Sequence, residues 1–236
     1  MPGRPGRPGR PGRPGRPDPL PKALLVVTAA TGIVDAVAYL GLGQVFTAFM
    51  TGNILFLGFS LAGAQGLSPI GSGTALTAFG VGAVAGSRLG AATSERRRRW
   101  LLTSAALAAT LLVAAALTAI GLRPVGRHPE PRHYAVTALI ALAMGLRSAT
   151  MWRLGAVLNT TLITGTLVTL IRWSSLGGGT GDSAQRYRAG GLLAVLVGAV
   201  AGALLLRVSM TVALLLAAAG VFVGIGGYVA LPASRS

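Results

Sequence analysis

Eight stretches of almost unbroken apolar sequence leave this chain little choice of fold: Leu24 to Leu42, Val45 to Ala64, Ile70 to Ala92, Trp100 to Leu122, Tyr134 to Thr150, Ala156 to Trp173, Ala189 to Leu206 and Val208 to Leu231. Each approaches the roughly 20 residues that an α-helix needs to cross the hydrocarbon of a bilayer. Hydrophobic residues make up 52% of the chain and charged residues 11%, against about 25% charged in soluble domains. Such a chain cannot cover a globular surface with polar groups, so the expected fold is all-α, a polytopic membrane helix bundle. No cysteine is present, which excludes disulfides and thiolate metal sites.

The eight segments divide into two sets of four. Thr47-Ala-Phe-Met-Thr-Gly-Asn53 in the first set is echoed by Thr160-Thr-Leu-Ile-Thr-Gly-Thr166 in the second. At the same offset of 113, Gly32 falls on Gly145, Asp35 on Ser148 and Tyr39 on Trp152. Val81-Gly-Ala-Val-Ala-Gly86 recurs identically as Val197 to Gly202, at an offset of 116. These matches, in one order and at nearly one offset, predict an internal repeat. The expected organisation is a basic tail over 1–22, a first membrane repeat over 23–122, a loop over 123–133, a second repeat over 134–231 and a short tail over 232–236.

The formal charge of +16 points to the membrane rather than to nucleic acid. Six of the 21 basic residues precede the first apolar run, and the rest lie mostly between or at the ends of such runs, as in the cytoplasmic loops of membrane proteins. No aromatic-interleaved basic face or reader motif for nucleic acid accompanies them. Five Gly-Arg-Pro triplets from Gly3 to Pro17 are expected to form a disordered, polyproline-like tail, suited to contact with anionic lipid headgroups. The chain is expected in the cell (plasma) membrane as a multi-pass protein, with its N-terminus in the cytoplasm.

Two layouts fit this pattern. Eight crossings with the tail inside leave the Glu95-Arg-Arg-Arg-Arg99 loop outside, against the positive-inside rule. Six crossings, with the Thr-Gly-Asn and Thr-Gly-Thr segments re-entrant, bring that loop inside and invert the second repeat relative to the first.

Candidate site residues follow from polarity at membrane depth. Asp35 is the one acidic residue within an apolar segment; an inserted carboxylate costs about 2.5–3.5 kcal/mol and should face the bundle interior. Helical spacing aligns it with Thr28, Thr31, Gly32 and Tyr39. It is a candidate proton, cation or substrate site, or a structural charge paired with Arg147, which adjoins its repeat equivalent; Arg88 is the competing partner. Thr51, Gly52 and Asn53, with Thr164, Gly165 and Thr166, suit a broken helix whose side chains offer ligands or bridge helices. Gly82, Gly86 and Gly90 form a small-residue packing series.

Other motifs carry no site. His128, Glu130 and His133 could ligate a metal, but they lie in a Pro-rich, Arg-containing loop. The run Gly177-Gly-Gly-Thr-Gly-Asp182 lacks the Lys-Ser/Thr ending of a phosphate loop. No nucleophile, base and orienting acid assemble from the residues present, so no enzyme and no cofactor are expected.

The segment Gly32-Ile-Val-Asp-Ala36, followed by Tyr39-Leu-Gly-Leu-Gly43, Val45-Phe46 and Met50-Thr-Gly-Asn-Ile-Leu-Phe-Leu-Gly58, resembles the signature of the YoaK-like family of uncharacterised bacterial integral membrane proteins. Ala143-Met-Gly-Leu146 and Thr160 to Leu167 resemble its second signature. The resemblance implies a polytopic inner-membrane protein and brings no substrate with it. Arg147-Ser148 stands where the family usually has Gln-Asn, which favours a charged pair there over an amide site. Together these features predict a transporter of a small solute or ion with a site between the two repeats. The alternative is a non-transporting assembly or sensor component, in which the buried charges only hold register. Oligomerisation is compatible with either.

Overall fold

A computed structural model describes residues 20–93, 97–125, 129–154, 163–174, 178–179 and 185–230. The basic tail up to 19, Glu95 and Arg96, His128, the 155–162 stretch with Thr160, most of the Gly177 to Asp182 run and the last six residues lie outside that set. The described residues form eight helices: α1 Leu20–Gly41, α2 Met50–Leu61, α3 Pro69–Thr93, α4 Arg97–Thr118, α5 Pro131–Arg153, α6 Ile163–Arg172, α7 Gln185–Leu206 and α8 Met210–Ala230. Six of them, all but α2 and α6, are long and apolar enough to cross a membrane. The protein is a multi-pass helical bundle.

The second apolar segment, long enough in sequence to span and the candidate re-entrant segment of the six-crossing layout, does not form one spanning helix. Helix starts only at Met50 and gives α2 12 residues, or about 18 Å at 1.5 Å per residue. The cause lies in the preceding turn. Gly43 and Gln44 take left-handed conformations, with φ of 105° and 57°, which end α1 and reverse the chain. Thr47 and Ala48 then donate their backbone N–H groups to the carboxylate of Asp35 instead of to helical carbonyls. In the apolar stretch from Ala156 to Trp173, the described residues hold α6 over Ile163–Arg172.

Close backbone contacts fix how the spans pair. On α3, Gly82 meets the carbonyl of Leu142 and Gly86 that of Leu146, both on α5. On α7, Gly198 meets the carbonyl of Ala29 and Gly202 that of Ile33, both on α1. A methyl group on Gly86 or Gly202 would stand 2.5 or 2.7 Å from those oxygens, too close for any side chain. Reciprocally, Gly145 of α5 faces the carbonyl of Phe79, and Gly32 of α1 faces that of Val195. Residue numbers rise together in both pairs, so α3 runs parallel to α5 and α1 parallel to α7. Small residues let the backbones approach where lipid offers no hydrophobic drive between helices.

The remaining contacts close the bundle. α8 packs against α1 and α4, and α4 against α5. Gly220 of α8 faces Ala30 while Gly224 faces Val27, and the Ser104 hydroxyl lies 2.6 Å from that of Thr150; both pairs are antiparallel. The core runs between these four helices through Val34, Val37, Leu112, Ile140, Met144 and Leu214, all at most 1% exposed. α2 lies on α3 and α6 on α7. At the far end, Arg132 donates to the carbonyls of Thr118 and Ile120, closing the C-terminus of α4.

Candidate functional site

Asp35 sits six residues, about 9 Å, before the end of α1, and is 5% exposed. Its Oδ1 accepts three hydrogen bonds from the turn that leads into α2: Thr47 N–H at 2.7 Å, Thr47 Oγ1 at 2.8 Å and Ala48 N–H at 3.0 Å. The chain after α1 therefore dips back into the bundle to the level of Asp35 before α2 begins. Asp35 Oδ2 is buried and makes no hydrogen bond.

The other end of the turn is held by Asn53, which is fully buried. Its Oδ1 accepts from Phe46 N–H at 2.9 Å, and its Nδ2 donates to Phe46 O at 2.6 Å. Gly52 leaves room for the Phe46 ring, whose nearest atom would stand 2.6 Å from an added Cβ. Tyr39 stacks on the same ring, with centroids 5.1 Å apart. Asp35, Asn53 and Gly52 thus clamp one turn from both sides.

Arg147, 4% exposed, reaches from α5 to α1. It donates to Val27 O at 3.0 Å and to Thr31 Oγ1 at 2.6 Å, one helical turn before Asp35. Arg88, the competing partner in the sequence reading, is exposed on α3.

Beneath the start of α2 lies a cavity of about 420 Å³. Ala48, Met50 and Thr51 form its roof. One wall comes from Phe79, Ala83 and Ser87 of α3, the other from Ser148, Ala149 and Trp152 of α5. The first turn of α2 opens into it without a side-chain cap, since the N-cap residue is Phe49. Ser148 is 7% exposed, and its hydroxyl makes no hydrogen bond to another described residue. Ser87 and Trp152 lie toward the end of the bundle that carries Lys22, Arg97, Arg98, Arg99, Arg153 and Arg186.

Of the sequence candidates, Thr51 alone lines this cavity. Asp35, Gly52 and Asn53 shape its roof from behind. Thr164, Gly165 and Thr166 belong to α6 on the flank of α7, with Thr164 and Gly165 exposed, and none lines the cavity. Ser148 and Trp152 were legible in the sequence as the repeat counterparts of Asp35 and Tyr39; nothing in the sequence singled out Ser87 or Phe79. The His133 ring is spent on structure: Nδ1 accepts from Glu130 N–H at 3.0 Å, and Nε2 lies 3.0 Å from Arg123 O.

A half-helix that starts inside a bundle, six spans and a polar cavity describe a membrane protein without naming it. Residues 23–226 match the model of a family described as "Protein of unknown function (DUF1275)". The chain belongs to this family. Over 150 residues, 63% of its length, it is 34% identical to the UPF0700 transmembrane protein YoaK of Bacillus subtilis (strain 168). That alignment spans 64% of the Bacillus protein. No solved structure matches the chain.

Proposed function

We propose that this DUF1275 protein is a transporter of a small solute, built from two inverted repeats. The observation that carries the proposal is the uncapped half-helix α2, which starts within the bundle above a cavity of about 420 Å³. Discontinuous helices whose ends face a polar cavity are a recurrent way to bind solutes within a membrane. The glycine contacts support the repeat: Gly82 and Gly86 meet α5 as Gly198 and Gly202 meet α1. Three spans in each half make the halves inverted, so that α1 corresponds to α5 and α3 to α7. The basic end is then cytoplasmic, and the charge of the Gly-Arg-Pro tail suits contact with anionic lipid of the inner leaflet. Asp35 Oδ2, buried without a hydrogen bond, is available to carry a proton.

One observation favours the second reading, a non-transporting assembly or sensor component. Asn53 and Asp35 Oδ1 spend their hydrogen bonds on the turn they hold, as structural residues do. Uptake into proteoliposomes decides between them. The protein, reconstituted beside Asp35→Asn, is offered radiolabelled amino acids, organic acids, sugars and nucleobases under an imposed pH gradient. Saturable, gradient-dependent uptake by the parent supports transport. Absence of uptake across the panel, with Asp35→Asn only less stable, supports the structural reading.

A further inference from the structure

The geometry points to a small organic carboxylate as the solute of the cavity, its charged head at the first turn of α2 and its apolar body against Phe79 and Trp152. This proposal rests on reading the cavity as a solute site, and two independent features carry it. The N-terminus of a helix presents unsatisfied N–H groups and about half a positive charge, and that of α2 has no side-chain cap. Ser148, more than nine-tenths buried, turns into the same space a hydroxyl that makes no hydrogen bond to another described residue. That hydroxyl can both donate to and accept from a group held in the cavity.

Charge around the cavity agrees. Arg88 follows Ser87 on α3, and Arg153 follows Trp152 on α5, with its side chain against Gly90. Both belong to the basic end of the bundle. Asp35 and Glu130 are the only acidic residues among those described. Glu130 stands at the opposite end of the bundle, and Asp35 is set behind Ala48, with its Oδ1 taken up by Thr47 and Ala48. Met50, Phe79 and Trp152 leave the rest of the lining apolar. The volume falls within the usual range of small-molecule sites, about 300–1,000 Å³. An ammonium solute would face the positive end of α2, and a bare inorganic anion would leave the aromatic wall unused.

The test uses the full chain in nanodiscs, with benzoate and phenylacetate as probes beside benzamide and benzylamine. Tryptophan fluorescence reports directly, because Trp152 lines the site; Trp152→Phe identifies its share of the signal. The expected result is saturable quenching by both carboxylates, absent in Trp152→Phe, with benzamide about tenfold weaker or worse and benzylamine silent. Ser148→Ala and Ser87→Ala should each weaken benzoate severalfold while leaving the unfolding temperature unchanged. Equal binding of benzamide or benzylamine would overturn the carboxylate assignment and leave a solute cavity in place. Silence from all four probes, with helicity and unfolding of the sample intact, would also overturn it. Benzoate binding without benzoate uptake into proteoliposomes supports the site and counts against transport alone.

Discussion

At the scale of single residues, burial was the legible quantity and partnership was not. The cost of a carboxylate in hydrocarbon requires Asp35 to face inward, and it does, at 5% exposure. Its partners lie 12 and 13 residues further along the chain, in a turn that no periodicity announces, because amides captured by a side chain leave no composition signal. Arg147 was likewise legible as a buried cation, but nothing in the sequence showed that it donates to Val27 O and to the Thr31 hydroxyl. The clamp makes a graded prediction. Asp35→Ala leaves Thr47 N–H, Thr47 Oγ1 and Ala48 N–H without an acceptor and should cost about 3 kcal/mol or more. Asp35→Asn keeps an acceptor oxygen, gives up only the charge assistance and should cost about half as much. Thermal unfolding of both variants in detergent checks the order; equal losses would mean that the charge, not the acceptor, holds the turn. Asn53→Leu removes the clamp from the other side, orphaning Phe46 N–H, and should cost about 1–3 kcal/mol in the same assay.

At the scale of elements, length and hydropathy located the described helices but left open whether α2 spans. Val45 to Ala64 is apolar enough to span, and only the left-handed Gly43 and Gln44 with the Asp35 clamp convert its first part into a turn. Hydropathy measures what a segment can cross, not where its backbone hydrogen bonds go. The start of α5 shows the converse, a boundary set by local chemistry. Glu130 and His133 form a capping box ahead of the helix, with Pro131 at its first position. The His133 ring, 3% exposed, also meets Arg123 O of the preceding loop. His133→Ala should therefore destabilise the protein by about 1–2 kcal/mol, with hydrogen exchange quickening first in the amides at the start of α5. Exchange that rises evenly over the whole bundle would instead assign His133 a global packing role.

At the scale of the whole molecule, the sequence left six and eight crossings equally open, because both keep every apolar segment in the membrane. Helix length bears on this: among the described residues six helices are long and apolar enough to span, while α2, at 12 residues, is too short. The parallel pairs carry the same conclusion. Gly82 and Gly86 bring α3 alongside α5, and Gly198 and Gly202 bring α7 alongside α1, which requires α1, α4 and α7 to run one way and α3, α5 and α8 the other. Gln65, between α2 and α3, then shares a face of the membrane with Val208, between α7 and α8. With eight crossings the two would lie on opposite faces. Both residues are exposed and the chain has no cysteine of its own, so Gln65→Cys and Val208→Cys can each be labelled against a silent background. An impermeant maleimide applied to intact spheroplasts should label both to the same extent, and should label Arg186→Cys, at the basic end, only after lysis. Labelling of Val208→Cys without Gln65→Cys would make both α2 and α6 full crossings. The half-helix above the cavity would then be lost, and with it the basis for reading these two halves as inverted repeats around a solute site.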